Sequence, residues 1–180
     1  PIPPPELRRI VAEPAPEMFL WSGYHDLRLI LAEFTKHRAP RTGPVRILDF
    51  GCGCGRLVRY LAGKAGIVAH AADVNAPALA WCAANLPRVR TMQAAPLPPL
   101  PLADRSLDLL FAVSVFTHLP QPAIERWIAE VARVLDIGGL ETEATRQRPD
   151  QAAVAIGQLG HCPRLPGGHA RRPLDGDFVA

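Results

Sequence analysis

Apolar and polar positions along this chain follow two periods, and the switches between them mark its elements. The run Val45-Arg46-Ile47-Leu48-Asp49-Phe50 carries no turn former and suits a strand covered on both faces. Apolar runs at 67–72 and 109–113 predict two further strands, and Val89 to Met92 is read as a strand between them. Between them the spacing turns helical. Leu57, Val58 and Leu61 predict a first crossover helix ended by Gly63 and Gly66, and Asn75-Ala76-Pro77 opens a second that runs to about Leu86. Ile124, Trp127, Ile128, Val131, Val134 and Leu135 give a helix over 122–135 one core face. Strands alternating with helices in this way predict an α/β fold, a doubly wound and mostly parallel sheet with helices on both faces.

The first 20 residues contain Pro1, Pro3, Pro4, Pro5, Pro14 and Pro16, so an extended or irregular arm is expected there, with a short helical piece over 7–12. From Asp26, the positions Leu27, Ile30, Leu31 and Phe34 recur at helical spacing and predict an amphipathic helix ending before Pro40. Trp21, Tyr24 and Phe34 are expected to cover the sheet rather than to touch a substrate. The segment 95–101, Ala-Pro-Leu-Pro-Pro-Leu-Pro, excludes helix and central strand and reads as a loop.

Chemistry concentrates where the first strand meets its turn, Gly51-Cys52-Gly53-Cys54-Gly55-Arg56. Glycines there let the backbone bend sharply and approach a ligand with no Cβ in the way. A dinucleotide fingerprint, G-x-G-x-x-G, would need glycine at position 56, which is Arg56, and no Gly-Lys-Ser/Thr closes a P-loop. Asp49 lies two places before the first glycine. A carboxylate at that strand end can meet a ligand ammonium group but would repel a pyrophosphate, which favours S-adenosylmethionine over NAD.

These residues resemble the first motif of the class I S-adenosylmethionine-dependent methyltransferases, and the resemblance extends over about residues 45 to 139. In that family a second acidic residue closes strand two and holds the ribose hydroxyls, and Asp73 follows Gly51 at about the 20-residue interval expected. The segment 100–119, with Asp108 opening the strand and Ser114 to His118 following it, resembles the family's fourth-strand region. The resemblance implies a Rossmann-like fold and a cofactor shell of Asp49, Gly51, Cys52, Gly53, Gly55, Asp73, Val74, Gln93, Ala94 and Ser114. Val74 would lie beside the adenine, near the proline-rich loop. Many relatives carry an acidic residue after strand three, and Gln93-Ala94-Ala95 has none, so the Gln93 amide or backbone groups would take its place. His118 is the candidate base for a hydroxyl or amine acceptor. The implied activity is methyl transfer to a small-molecule acceptor, with a non-catalytic binding remnant and an NAD-linked oxidoreductase as the rival readings.

Three regions are expected: 1–40, an arm and helix on the lid and acceptor side; 41–139, the cofactor-binding core; and 140–180, an irregular tail. The family follows its fourth strand's helix with a Pro-Gly-Gly turn and an apolar fifth strand. Here Ile137 replaces the proline, and charged residues interrupt 140–148 on both faces, so strands five to seven are expected to be missing or degraded by truncation or frameshift. A first residue of Pro1 rather than methionine agrees with a fragment.

Composition changes this picture little. With 180 residues and 48% hydrophobic content the chain can bury a core, and 20 basic against 17 acidic residues, without a Lys/Arg block, give no reason to expect nucleic acid. Cys52, Cys54, Cys82 and Cys162 lack metal-finger spacing, so no metal is expected. No signal peptide opens the chain, and its longest apolar run, 109–116, is far too short to span a bilayer, so a cytoplasmic protein without membrane attachment is expected.

Overall fold

A computed structural model describes residues 1–11, 15–37 and 42–136. Four parallel strands make its sheet: β1 (Val45–Phe50), β2 (Ile67–Asp73), β3 (Val89–Gln93) and β4 (Leu109–Phe111), in the spatial order β3-β2-β1-β4. Asp49 pairs with Ala71 on one side and Phe111 on the other, so the sheet's centre carries the predicted acidic strand end. The chain leaves β1 towards β2 on one side and later returns to β4 on the other. That reversal is the switch point where open α/β sheets form a crevice at their carboxyl ends.

Both faces of the sheet are covered, as the apolar residues that β1, β2 and β4 carry on each face require. On one face Ile47, Ala69, Ala71, Leu109 and Phe111 pack with Leu57, Val58, Leu61, Leu79 and Leu27. On the other, Leu48, Phe50, Leu110 and Ala112 meet Trp127, Val131 and Val134 of the helix α4 (Gln121–Val134). Helix α3 (Ala76–Asn85) starts as its sequence predicts. The Asn75 side chain accepts from the Ala78 amide at 2.9 Å, and Pro77 sits in the first turn, where its missing N–H is harmless.

Two elements differ from expectation. The long N-terminal helix, α2 (Pro16–His37), begins ten residues before Asp26. Pro16 occupies its first position, where proline starts a helix instead of breaking one. A short helix, α1 (Pro5–Ile10), precedes it. The first crossover is no α-helix. Among the described residues it is a chain of turns with one 3-10 segment, Val58–Tyr60, built from Tyr60→Leu57, Leu61→Val58 and Lys64→Leu61 bonds. Only seven residues separate Gly55 from Gly63, too few for the amphipathic helix that the spacing of Leu57, Val58 and Leu61 suggested.

The proline-rich loop is held by α4. Glu130 is buried and accepts from the Leu100 amide at 2.7 Å while Arg133 grips it at 2.7 and 2.8 Å; Trp127 Nε1 donates to the Pro96 carbonyl. Past α4, Leu135 forms a parallel bridge with Leu107 beside the β4 edge. The expectations for strands five to seven and for residues 140–180 lie outside the described residues.

Candidate functional site

The glycine turn is pinned by the two carboxylates predicted to flank it. Asp49 is buried at the end of β1, and its Oδ2 accepts the Val58 amide at 3.1 Å, which folds the far side of the turn back onto the strand. Asp73 ends β2. One of its oxygens accepts the Gly53 amide at 2.6 Å and the other the Asn75 amide at 2.7 Å, while the Gly51 amide donates to Ala72 O at 2.8 Å. The turn passes through φ of +77° at Gly51 and +53° at Gly53. Any Cβ there would also collide, at 2.2 Å from Val115 Cγ2 and 2.6 Å from Val11 Cγ1 respectively. Glycine is therefore required twice over.

The electrostatics of the two carboxylates differ. Burial pushes the Asp49 carboxyl up to about 7, opposed by the Val58 hydrogen bond and the Arg56 charge and reinforced by Asp73. Asp49 is thus poised between acid and carboxylate near neutrality and would be ionised by an arriving cation. Asp73, held by two amides, keeps free lone pairs for hydroxyl donors.

Several of the predicted residues lie together. Asp49, Gly51, Gly53 and Asp73 gather where the glycine turn meets the ends of β1 and β2, Cys52 and Gly55 are buried in the same turn, and Val74 is exposed at that corner. Ala94 joins it through its amide, bonded to Asp73 O at 3.0 Å. Gln93 reaches back over the same corner, its Nε2 donating to the carbonyls of Asp73, Val74 and Ala94, so its amide nitrogen is engaged in building the loop. Ser114 follows β4 with φ +59°, in the left-handed region that a non-glycine side chain rarely adopts, and the next residue, Val115, lies against Gly51. His118 is exposed at the end of a 3-10 segment, Phe116–His118.

Other residues of the site were not legible in the sequence. Arg56, read only as the position that broke a dinucleotide pattern, reaches Asp26 at 2.6 Å and Ser22 at 3.1 Å and ties the turn to α2. Arg59 donates to Gly55 O and Pro1 O and lies over the Phe19 ring at 4.8 Å. Val11 rests on Gly53, and the Cys54 thiol donates to Leu7 O. Except for Arg59 and Gly55, four positions apart, these pairings join residues tens of positions apart, and no local spacing signals them. Among the described residues, no group of three or more His, Cys, Asp or Glu side chains could hold a metal ion, and no helix is long and apolar enough to cross a membrane.

Comparison with known proteins agrees with this geometry. Residues 47–139 match the family described as a methyltransferase domain. The methyltransferase GfsG of Streptomyces halstedii is 32% identical over 102 residues, which cover 52% of this chain and 35% of that protein, so the chain matches about a third of that relative's length. Two solved structures share the fold. A putative S-adenosyl-L-methionine-dependent methyltransferase from Methanococcus maripaludis superposes with a TM-score of 0.51 at 18% identity, covering 75% of this chain and 70% of that one. The PH0226 protein from Pyrococcus horikoshii OT3 gives 0.52 at 19% identity, covering 63% and 52%. With a parallel Rossmann-like sheet, a glycine turn between two strand-end carboxylates and a family match over residues 47–139, this chain belongs to the class I S-adenosylmethionine-dependent methyltransferases.

Proposed function

We propose that this chain binds S-adenosylmethionine at the glycine turn and transfers its methyl group to a small-molecule acceptor. The observation that carries this reading is the turn itself, fixed between Asp49 and Asp73 at the carboxyl ends of β1 and β2. The donor set fits the group. Asp73 offers lone pairs to ribose hydroxyls and Asp49 a buried negative charge to the methionine ammonium, while Gly51 and Gly53 add no Cβ to a turn that Val115 and Val11 already line. Val74, with Gln93 and Ala94 beside it, would border the adenine, and Ser114 would close the β4 side.

When bound, the cofactor supplies an electrophilic methyl on a sulfonium. The protein's own part is then mainly to align acceptor and methyl and to exclude water, because an in-line displacement gains most from positioning. The acceptor side would be formed by the N-terminal segment, whose described residues contact the turn through Val11 on Gly53. His118 would take the acceptor's proton if that acceptor is a hydroxyl or amine. A reducing, cytoplasmic setting suits the free thiols Cys52, Cys54 and Cys82.

Calorimetric titration with S-adenosylhomocysteine tests the proposal. Saturable binding by the chain, weakened at least tenfold by Asp73→Ala, is expected. A folded chain that binds nothing would overturn it.

A further inference from the structure

Cys52 and Cys82 are buried beside the glycine turn, and the proposed chemistry gives their thiols no step. The Cys52 Sγ–H donates to the Gly53 carbonyl at 3.4 Å, and Cys82, from the inner face of α3, donates to the same carbonyl at 3.5 Å. Both side chains are buried, and both belong to the cluster that seats the turn on the sheet. Cys82 also lies under Gly55, where an added Cβ would come within 3.1 Å of its sulfur. Two thiols that share one acceptor, one from the turn and one from a rigid helix, are a pair arranged for each other. Cys54 points elsewhere, its thiol donating to Leu7 O in the N-terminal segment.

We propose that Cys52 and Cys82 form a reversible disulfide beneath the glycine turn, closed by a low-molecular-weight disulfide and opened by a dithiol, and that the closed form no longer binds the cofactor. In the first step one cysteine thiolate attacks the small disulfide, whose S–S bond breaks and releases one thiol. The second cysteine sulfur then displaces the remaining half. In total the two cysteines lose two protons and two electrons, and the small disulfide becomes two thiols.

The consequence for the site follows from bond lengths. A disulfide needs sulfurs about 2.05 Å apart, closer than two thiols that only share a hydrogen-bond acceptor. Closing it draws Cys52 towards α3 and carries Gly51 and Gly53 along. Their amides then leave Ala72 O and Asp73 Oδ2, the bonds that shape the turn.

The packed turn protects the pair. The Cys82 neighbour and burial together hold the Cys52 thiol well above the ordinary range, so exchange proceeds through an opened turn. A ligand that keeps the turn closed therefore slows oxidation. That last step, like the loss of binding, rests on the cofactor reading above, whereas the disulfide itself does not.

The test is native incubation of the full chain with glutathione disulfide, blocking of remaining thiols, and peptide mapping by mass spectrometry. The expected product is a Cys52–Cys82 linked peptide, two hydrogens lighter than its reduced halves, which dithiothreitol reverses and which S-adenosylhomocysteine delays. The oxidised chain should bind S-adenosylhomocysteine at least tenfold more weakly than the reduced one, and Cys82→Ala should bind it normally with or without oxidant. A folded chain that links Cys54 or Cys162 instead, or forms no link, overturns the disulfide. A linked chain with unchanged binding overturns the switch. If the reduced chain binds no S-adenosylhomocysteine, the cofactor reading falls, and the peptide map still decides whether the pair closes.

Discussion

Asp49 is the residue whose environment says most about the site. Burial outweighs one amide and the Arg56 charge and pushes its carboxyl up to about 7, so near neutrality both the acid and the carboxylate are populated. If it receives the ligand's ammonium, binding requires the carboxylate, and below pH 7 a proton must first leave. Affinity for S-adenosylhomocysteine should then fall towards tenfold for each pH unit below 7, with proton release on binding. Titrations between pH 5.5 and 7.5 in buffers of different ionisation enthalpy measure both, and Asp49→Asn should flatten the profile. That Asp49, Gly51, Gly53 and Asp73 come together is legible, because a strand end, a turn and a fixed interval are local in the chain. The perturbed titration was not, since it comes from complete burial that only the assembled sheet provides. His70 was silent for the same reason: it sits within an apolar strand reading, yet its Nδ1 is buried without a hydrogen-bond partner.

At the scale of elements, two contacts decide how the site is supported. Gly23 brings α2 against the turn so closely that a Cβ would stand 2.2 Å from the Arg56 carbonyl oxygen. Alanine in mid-helix normally stabilises by about 1 kcal/mol relative to glycine. Here the obstacle is backbone, which cannot swing aside, and overpacking typically costs about 1–3 kcal/mol or more. Gly23→Ala is therefore expected to destabilise despite its better propensity, and to weaken S-adenosylhomocysteine binding by loosening the Arg56–Asp26 pair; urea unfolding and titration give the two readouts. On the other face, Glu130→Ala would leave the Leu100 amide buried and unpaired and remove Arg133's main partner, a loss of about 1–3 kcal/mol in chemical denaturation. Helix α4 was legible nearly to the residue because its apolar face follows the helical period, but Glu130 was not marked as buried, since its partner is 30 positions away. The start of α2 and the absent crossover helix were misjudged for opposite reasons. Pro16 reads as a breaker in sequence but serves as a starter, and three well-spaced apolar residues suggest a helix where the glycines on either side leave room for a single 3-10 turn.

For the whole molecule, two buried groups, Asp49 of β1 and His70 of β2, set opposing slopes of stability against pH. Asp49 has a folded value of about 7 against an ordinary 3.8, so the folded chain holds the extra proton between these values. Its contribution is fully present below 3.8 and is lost as pH rises through 7, at up to about 1.4 kcal/mol per pH unit. His70 is displaced the other way. Burial first, then the charges of Arg90 and Arg46, hold it below its ordinary 6.5, so the unfolded chain takes the extra proton, and stability is present above 6.5 and lost as pH falls below it. Just below 6.5 the slopes counteract each other, whereas from 6.5 to about 7 only Asp49 acts, and the ligand-free chain should weaken. A ligand ammonium paired with Asp49 would reverse that last change, because the carboxylate becomes the favoured form. Thermal unfolding from pH 5 to 8 should therefore show an optimum at higher pH with saturating S-adenosylhomocysteine than without it. Asp49→Asn should remove the decline above 6.5 and unmask the His70 loss below it, and adding His70→Leu should abolish that loss. A ligand that raises the midpoint equally at every pH would mean that Asp49 does not receive its charge.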